Sequence, residues 1–194
     1  MEQIRTFVAI ELDDGLKKRL TEAQDLLKGR GIADLVRWVK PGGIHLTLKF
    51  LGNVPADRIN EIIVAINQGS RGIRPFALSF GRLGCFPSPS RPNVIWIGVD
   101  GDTETLTRLQ GGIENRLSTL GHPPEKRKYT PHLTLGRVAR HVETGERRQL
   151  GRLIEKQSID LLGEMTVLEV SLMKSELSPA GAKYSRLAAI DLER

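Results

Sequence analysis

Two of the four histidines in this 194-residue sequence, His45 and His132, head the same tetrapeptide, His-Leu-Thr-Leu. In an extended strand alternate side chains share a face, so His45 and Thr47 point one way while Leu46 and Leu48 point the other. His132 and Thr134 repeat the arrangement, with Leu133 and Leu135 behind them. An imidazole titrates near neutral pH, so one of a pair can be protonated while the other is neutral, as paired acid and base catalysis of phosphoryl transfer requires. Each threonine hydroxyl can donate a hydrogen bond to a non-bridging phosphate oxygen and steady the charge that develops there. Two imidazoles and two hydroxyls around one phosphate-sized pocket need no metal and no cofactor. A single strand His-x-Thr reads as a surface or satisfied core histidine beside a β-branched residue that suits strands anyway. Two identical copies at matching places point to chemistry instead. His122 and His141 lie in polar, turn-like surroundings and take no role.

The two motifs need strands that bring them together. Arg5 to Leu12 reads as a strand ended by the helix-capping pair Asp13-Asp14, and Leu16, Leu20, Ala23 and Leu27 then recur at helical spacing up to a stop at Gly29. A strand over Ile44 to Leu51 follows Pro41-Gly42-Gly43. Pro55 and Asp57 open a helix carrying Ile59, Ile62, Ile63 and Ile66, and a strand spans about Phe76 to Leu83. The order then repeats. A strand over Asn93 to Val99 leads to a helix capped by Asp102, with Leu106, Leu109, Ile113 and Leu117 inward, and to a strand over His132 to Val138. A helix around Leu150, Leu153 and Ile154, a strand from Thr166 to Leu172, and an extra strand at Tyr184 to Ile190 complete the chain. Phe7 lies 38 residues before His45 and Trp96 lies 36 before His132, a similar distance in each half. The expected fold class is α+β: a single bilobal domain over 1–194, with pseudo-repeats at about 4–83 and 93–190. Each repeat is a strand-helix-strand-helix-strand unit, and the two share a core across a pseudo-twofold axis. Cys85 to Pro92, rich in proline and serine, is the loop between the halves.

Composition sets the surroundings. A chain of this length can bury a substantial core without disulfides. The lone Cys85 has no internal partner, and no Cys/His cluster has zinc-site spacing. The start of the chain has no signal-peptide pattern and no apolar run is long enough to span a bilayer, so a cytoplasmic protein free of the membrane is expected. A net charge of +6 and a pI near 9.7 favour polyanions such as nucleic acid. The basic residues nevertheless fall in short runs, such as Lys126-Arg127-Lys128, of the kind that usually lines a solvated face.

These motifs and their flanks resemble the RNA 2',3'-cyclic phosphodiesterases, or 2'-5' RNA ligase-like proteins, of the 2H phosphoesterase superfamily. The likeness covers nearly the whole chain. It runs through Arg5-Thr6-Phe7-Val8-Ala9-Ile10, Arg37-Trp38-Val39-Lys40-Pro41 and His45-Leu46-Thr47-Leu48-Lys49-Phe50-Leu51-Gly52. It continues through Gly84-Cys85-Phe86-Pro87, Arg91 to Trp96, Pro131 to Arg137, and Ser171 to Leu177. The paired His-x-Thr motifs mark the superfamily, and the flanking segments mark this branch.

The resemblance implies antiparallel sheets lining a cleft, with His45 as proton donor to the leaving 3'-oxygen and His132 as proton acceptor from water. The product would be a 2'-phosphate. The reverse reaction, with a 5'-hydroxyl in place of water, would join RNA through a 2'-5' bond. The implied partner is RNA with a 2',3'-cyclic phosphate end, tRNA fragments among the candidates, and the implied state is a monomer. Arg137 is suggested as a phosphate ligand, yet strict alternation from His132 turns it to the opposite face. A bulge at Gly136 would bring it inward; without one it is a surface arginine at a strand end. Lys49 shares the face of His45 and Thr47 and would reach either the cleft or its solvated rim. Phe7 and Trp96 suit base stacking or the core equally by type. Two further readings stay open: a phosphodiesterase for a small cyclic-phosphate nucleotide, and an RNA-end-binding protein without turnover. Intact copies of both motifs argue against the last, since binding alone would tolerate Asn, Lys or Arg at those positions.

Overall fold

The computed structural model describes residues 2–178 and 181–193, so Met1 and Arg194, the limits of the expected single unit, lie outside it. Local signals set where the helices begin. In α1 (Asp14–Leu27) the carboxylate of Asp13 accepts from the Leu16 amide at 2.7 Å, and in α3 (Thr103–Ser118) Asp102 accepts from the Thr105 amide at 2.9 Å. The fourth helix, α4 (Thr144–Lys156), starts in a capping box between Glu143 and Glu146. Each helix lays an apolar stripe on the sheet: Leu16, Leu20 and Leu27 from α1, Ile62 and Ile66 from α2 (Ile59–Gly69), and Leu106, Leu109, Ile113 and Leu117 from α3.

The strands are β1 (Gln3–Glu11), β2 (Val36–Trp38), β3 (His45–Pro55), β4 (Phe76–Phe86), β5 (Val94–Gly101), β6 (His132–Val138), β7 (Leu161–Val167), β8 (Glu169–Ser178) and β9 (Gly181–Asp191). Every pairing among them is antiparallel, in the order β7-β4-β5-β6-β3-β1-β8-β9, with β2 added to β6. The sheet is therefore two four-stranded halves that meet where β3 touches β6 at a single pair, Leu46 opposite Leu133. Read outward from that seam, β3-β1-β8-β9 matches β6-β5-β4-β7. The third strand of each unit has crossed to the other half: β4 pairs with β5, and β8 pairs with β1.

Three expectations change. The strand expected over Thr166 to Leu172 is two strands, broken at Leu168, which is left exposed between β7 on one half-sheet and β8 on the other. The three-residue β2 carries too few residues to show a period and was not expected from the sequence. Finally, the register aligns Ala9, opposite Thr47, with Trp96, opposite Thr134; Ala9 and Trp96 each precede their histidine by 36 residues, so Phe7 is the counterpart of Val94.

Candidate active site

At the seam the crossing is antiparallel and centred on Leu46 and Leu133, so His45 heads toward the Thr134 end and His132 toward the Thr47 end. All four side chains are partly exposed, while Leu46, Leu48, Leu133 and Leu135 behind them are buried. Both imidazoles are held in the same way. Nδ1 of His45 lies 2.9 Å from the Gly43 carbonyl, and Nδ1 of His132 lies 2.8 Å from the Thr130 carbonyl. A carbonyl only accepts, so each ring carries its proton on Nδ1 and presents Nε2 for chemistry.

Immediately after each tetrapeptide's threonine the strand bulges. Across β1 the register jumps from Thr47 opposite Ala9 to Lys49 opposite Val8, leaving Leu48 as the extra residue. Across β5 it jumps from Thr134 opposite Trp96 to Gly136 opposite Ile95, leaving Leu135 extra. Each bulged carbonyl takes a hydrogen bond from a buried glutamine on a helix of the other repeat. Gln24 Nε2 reaches Leu135 O at 2.9 Å and Val39 O at 2.8 Å, and Gln110 Nε2 reaches Leu48 O at 3.5 Å. Neither glutamine was singled out from sequence, where each reads as a polar position on an amphipathic helix.

The bulges decide which residues follow the threonines onto the open face. Lys49 departs from the expectation that it shares the face of His45 and Thr47: the extra Leu48 reverses the alternation, and Lys49 is 3% exposed. Its Nζ lies 3.0 Å from Glu114 Oε1 and donates to Pro123 O at 2.8 Å. Phe50 takes the open face instead, 57% exposed. In the second motif the extra Leu135 leaves Arg137 exposed between buried Gly136 and Val138, on the side of His132 and Thr134.

The charges around the two rings differ. Burial holds both His45 and His132 below the ordinary imidazole pKa. For His45 the Gly43 carbonyl and then the carboxylate of Glu11, its partner across β1 and β3, push back upward. For His132 the Thr130 carbonyl pushes up, but the Arg137 cation pushes down; its partner across β5 is Gly98, which carries no charge. Glu11 is fixed by Ser171 Oγ, which donates to it at 2.9 Å, and by Arg186, which also pairs with Glu169 at 2.7 Å.

Aromatic rings back both imidazoles. Phe7 stacks on His45 with centroids 4.6 Å apart, and Tyr184 meets the same ring edge-on at 5.1 Å. Phe86 meets His132 edge-on at 5.0 Å and packs on Trp96, which lies over Gly84, where an added Cβ would come within 2.3 Å of the indole. Phe7 thus packs directly beside His45, and Trp96, half-buried opposite Thr134, reaches His132 only through Phe86. A cavity of about 770 Å³ opens from the Thr47 and His132 end, lined by Phe50, Asn93, Arg127, Lys128 and Tyr129 among others, with Lys49 and Glu114 also part of its lining. Tyr129 ties this loop to β3 by donating to Thr47 O at 3.1 Å. Among the described residues no group of three or more His, Cys, Asp and Glu side chains could hold a metal ion, and no helix is long and apolar enough to cross a membrane.

The sequence profile of the family described as LigT like phosphoesterase matches the chain twice, over residues 10–96 and 97–184. An RNA 2',3'-cyclic phosphodiesterase of Methanothermobacter thermautotrophicus is 38% identical over 191 residues, covering 98% of this chain and 100% of its own. One of Archaeoglobus fulgidus is 33% identical, covering 97% of this chain and 100% of its own. Among solved structures, a Thermus thermophilus protein superposes with a TM-score of 0.79 at 26% identity, covering 97% of this chain and 98% of that one. Escherichia coli LigT complexed with 3'-AMP gives 0.78 at 22% identity over the full length of both, a likeness of fold.

Proposed function

The chain belongs to the LigT-like phosphoesterase family, and on that premise we propose that it is an RNA 2',3'-cyclic phosphodiesterase that opens a terminal cyclic phosphate to a 2'-phosphate. The observation that carries this reading is the pair of Nδ1-anchored imidazoles flanking the Leu46–Leu133 seam with unlike charges beside them. Glu11 favours the protonated form of His45, which makes His45 the acid. Arg137 favours the neutral form of His132, which makes His132 the base. Nε2 of His132 takes a proton from water as its oxygen attacks phosphorus. The bond from phosphorus to O3' breaks, and Nε2 of His45 gives its proton to O3'. Thr47 and Thr134 donate to the non-bridging oxygens, and Arg137 adds positive charge at the Thr134 end. Lys49, engaged with Glu114, fixes the strand that carries Thr47 and makes no phosphate contact of its own. With a 5'-hydroxyl in place of water, the reverse path forms a 2'-5' bond. The protein acts as a monomer in the cytoplasm, where the buried thiol of Cys85 stays reduced.

A cavity of about 770 Å³ also falls within the range that holds a mononucleotide, which favours a small cyclic nucleotide as the second reading. One assay ranks the two and tests the mechanism. Purified protein in chelator is given an RNA oligonucleotide ending in a 2',3'-cyclic phosphate and, separately, small cyclic nucleotides. Rapid conversion of the RNA to a 2'-phosphate end is expected; a 3'-phosphate product, or activity that needs a divalent ion, would overturn the assignment.

A further inference from the structure

We propose that Arg37 and Arg137 form a second anion subsite, which holds the phosphodiester on the 5' side of the terminal nucleotide so that the cleft selects a polynucleotide end over an isolated nucleotide. The inference rests on the reading above and deepens it. Arg37 of β2 stands directly opposite Arg137 of β6, so both side chains leave the sheet on the same side, the side of His132 and Thr134. Both are exposed, and among the described residues no carboxylate pairs with either. Like charges placed opposite one another on neighbouring strands repel, and an anion between them removes the penalty. Two guanidinium forks are well suited to phosphate oxygens.

The pairing is built closely. β2 lies so near β6 that a Cβ on Gly136 would come within 2.4 Å of Val36 Cγ1, so glycine is what lets Arg37 approach. The bulge at Leu135 makes Arg137 the next open-face residue after Thr134, about 7 Å further along the strand. A phosphate on the arginines therefore neighbours the phosphate held by Thr134. This is also the end toward which His45 heads. His45 protonates O3', so the O3' edge of the ribose, which stays bonded to the phosphate through O2', lies there, and its 5' phosphodiester continues toward the arginines. The opposite end of the cleft has Phe50 where this end has Arg137.

The test compares a nucleoside 2',3'-cyclic phosphate having a free 5'-hydroxyl with a dinucleotide having the same cyclic end. The wild-type protein should favour the dinucleotide in kcat/KM by about tenfold, as one or two charge-assisted hydrogen bonds allow. Arg37→Ala should bring that ratio toward one, Arg37→Lys should hold it in between, and the rise of KM with salt for the dinucleotide should be weaker in Arg37→Ala than in the wild-type protein. A wild-type ratio near one, or an equal loss on both substrates in Arg37→Ala, overturns the subsite while leaving the phosphodiesterase reading intact. Failure of the wild-type protein to turn over either substrate overturns both.

Discussion

The two halves of the cleft share a backbone and differ in charge. Both carry the same tetrapeptide, the same imidazole anchor two residues upstream, the same bulge after the threonine, and a buried glutamine lent by the other repeat. At the three positions that decide electrostatics they part: Glu11 faces His45 where Gly98 faces His132, Lys49 stands where the second motif has Gly136, and Phe50 where it has Arg137. On the proposed reading, duplication supplies two equivalent proton-transfer groups, and a few substitutions beside them make one an acid and the other a base. An asymmetric phosphodiester can then be opened in one direction.

Removing either imidazole tests this hardest. His45→Ala and His132→Ala should each lower turnover about a hundredfold to ten-thousandfold. On a substrate whose leaving group needs no proton, His45→Ala should regain most of its deficit and His132→Ala should not. Equal rescue would mean that the halves do not divide the work. Next in size, Thr47→Ala and Thr134→Ala should each lose roughly 1–3 kcal/mol of transition-state stabilisation, about fivefold to 150-fold, measured as kcat/KM.

The glutamines probe what the halves share. Gln24→Leu leaves the Val39 carbonyl without its side-chain donor and the Leu135 carbonyl with Val39 N alone, and should cost about 1–3 kcal/mol of stability. Gln110→Leu, whose bond to Leu48 O is longer at 3.5 Å, should cost less; the reverse order in chemical denaturation would show that the bulges are not supported in this way.

Smaller still are the shifts that isolate the charges. Glu11 raises the pKa of His45, so Glu11→Gln lowers it, and the alkaline limb of the pH-rate profile, where His45 loses its proton, should move to lower pH. Arg137 lowers the pKa of His132, so Arg137→Gln raises it, and the acid limb should move to higher pH. Both substitutions narrow the bell, from opposite sides. If Glu11→Gln moved the acid limb, His45 would be the base. Stability follows the same groups. In the folded protein His45, His132 and His122 all titrate below the ordinary imidazole range, so on the acid side the unfolded chain binds more protons. Their contribution is complete above the unfolded value of about 6.5 and is lost as pH falls from there through the folded values. Thermal midpoints should decline across that window.

How far the sequence could be read follows from the scale of the signals. The histidines and threonines are legible because a four-residue repeat carries its own alternation, and the helices because apolar stripes at Leu16 to Leu27 and Leu106 to Leu117 span several turns. Lys49 could not be placed, since one extra residue reverses a period of two and nothing in Leu48 announces it. Arg137 stood between two faces for the same reason. Glu11 looked like the end of a strand before a capping pair, and its relation to His45 exists only in the register of β1 on β3. The exchange of β4 and β8 is a matter of which edge a strand joins, and that is settled by distant residues.

That exchange also governs when the site can exist. Phe7 and Glu11 lie on β1, yet the strand that covers its second edge is β8, with Val8 paired to Leu172 and Ser171 bonded to Glu11. As the chain leaves the ribosome, β1 and β3 emerge early with one edge bare, and they wait for nearly the whole remainder of the protein before it is covered. Contacts so far apart in sequence close slowly. Glu11 can therefore meet His45 early, through the pairing of β1 with β3, but Ser171 and Arg186, which fix its carboxylate, arrive only at the last stage of folding, and a chain halted before β8 should carry both histidine motifs with Glu11 unanchored.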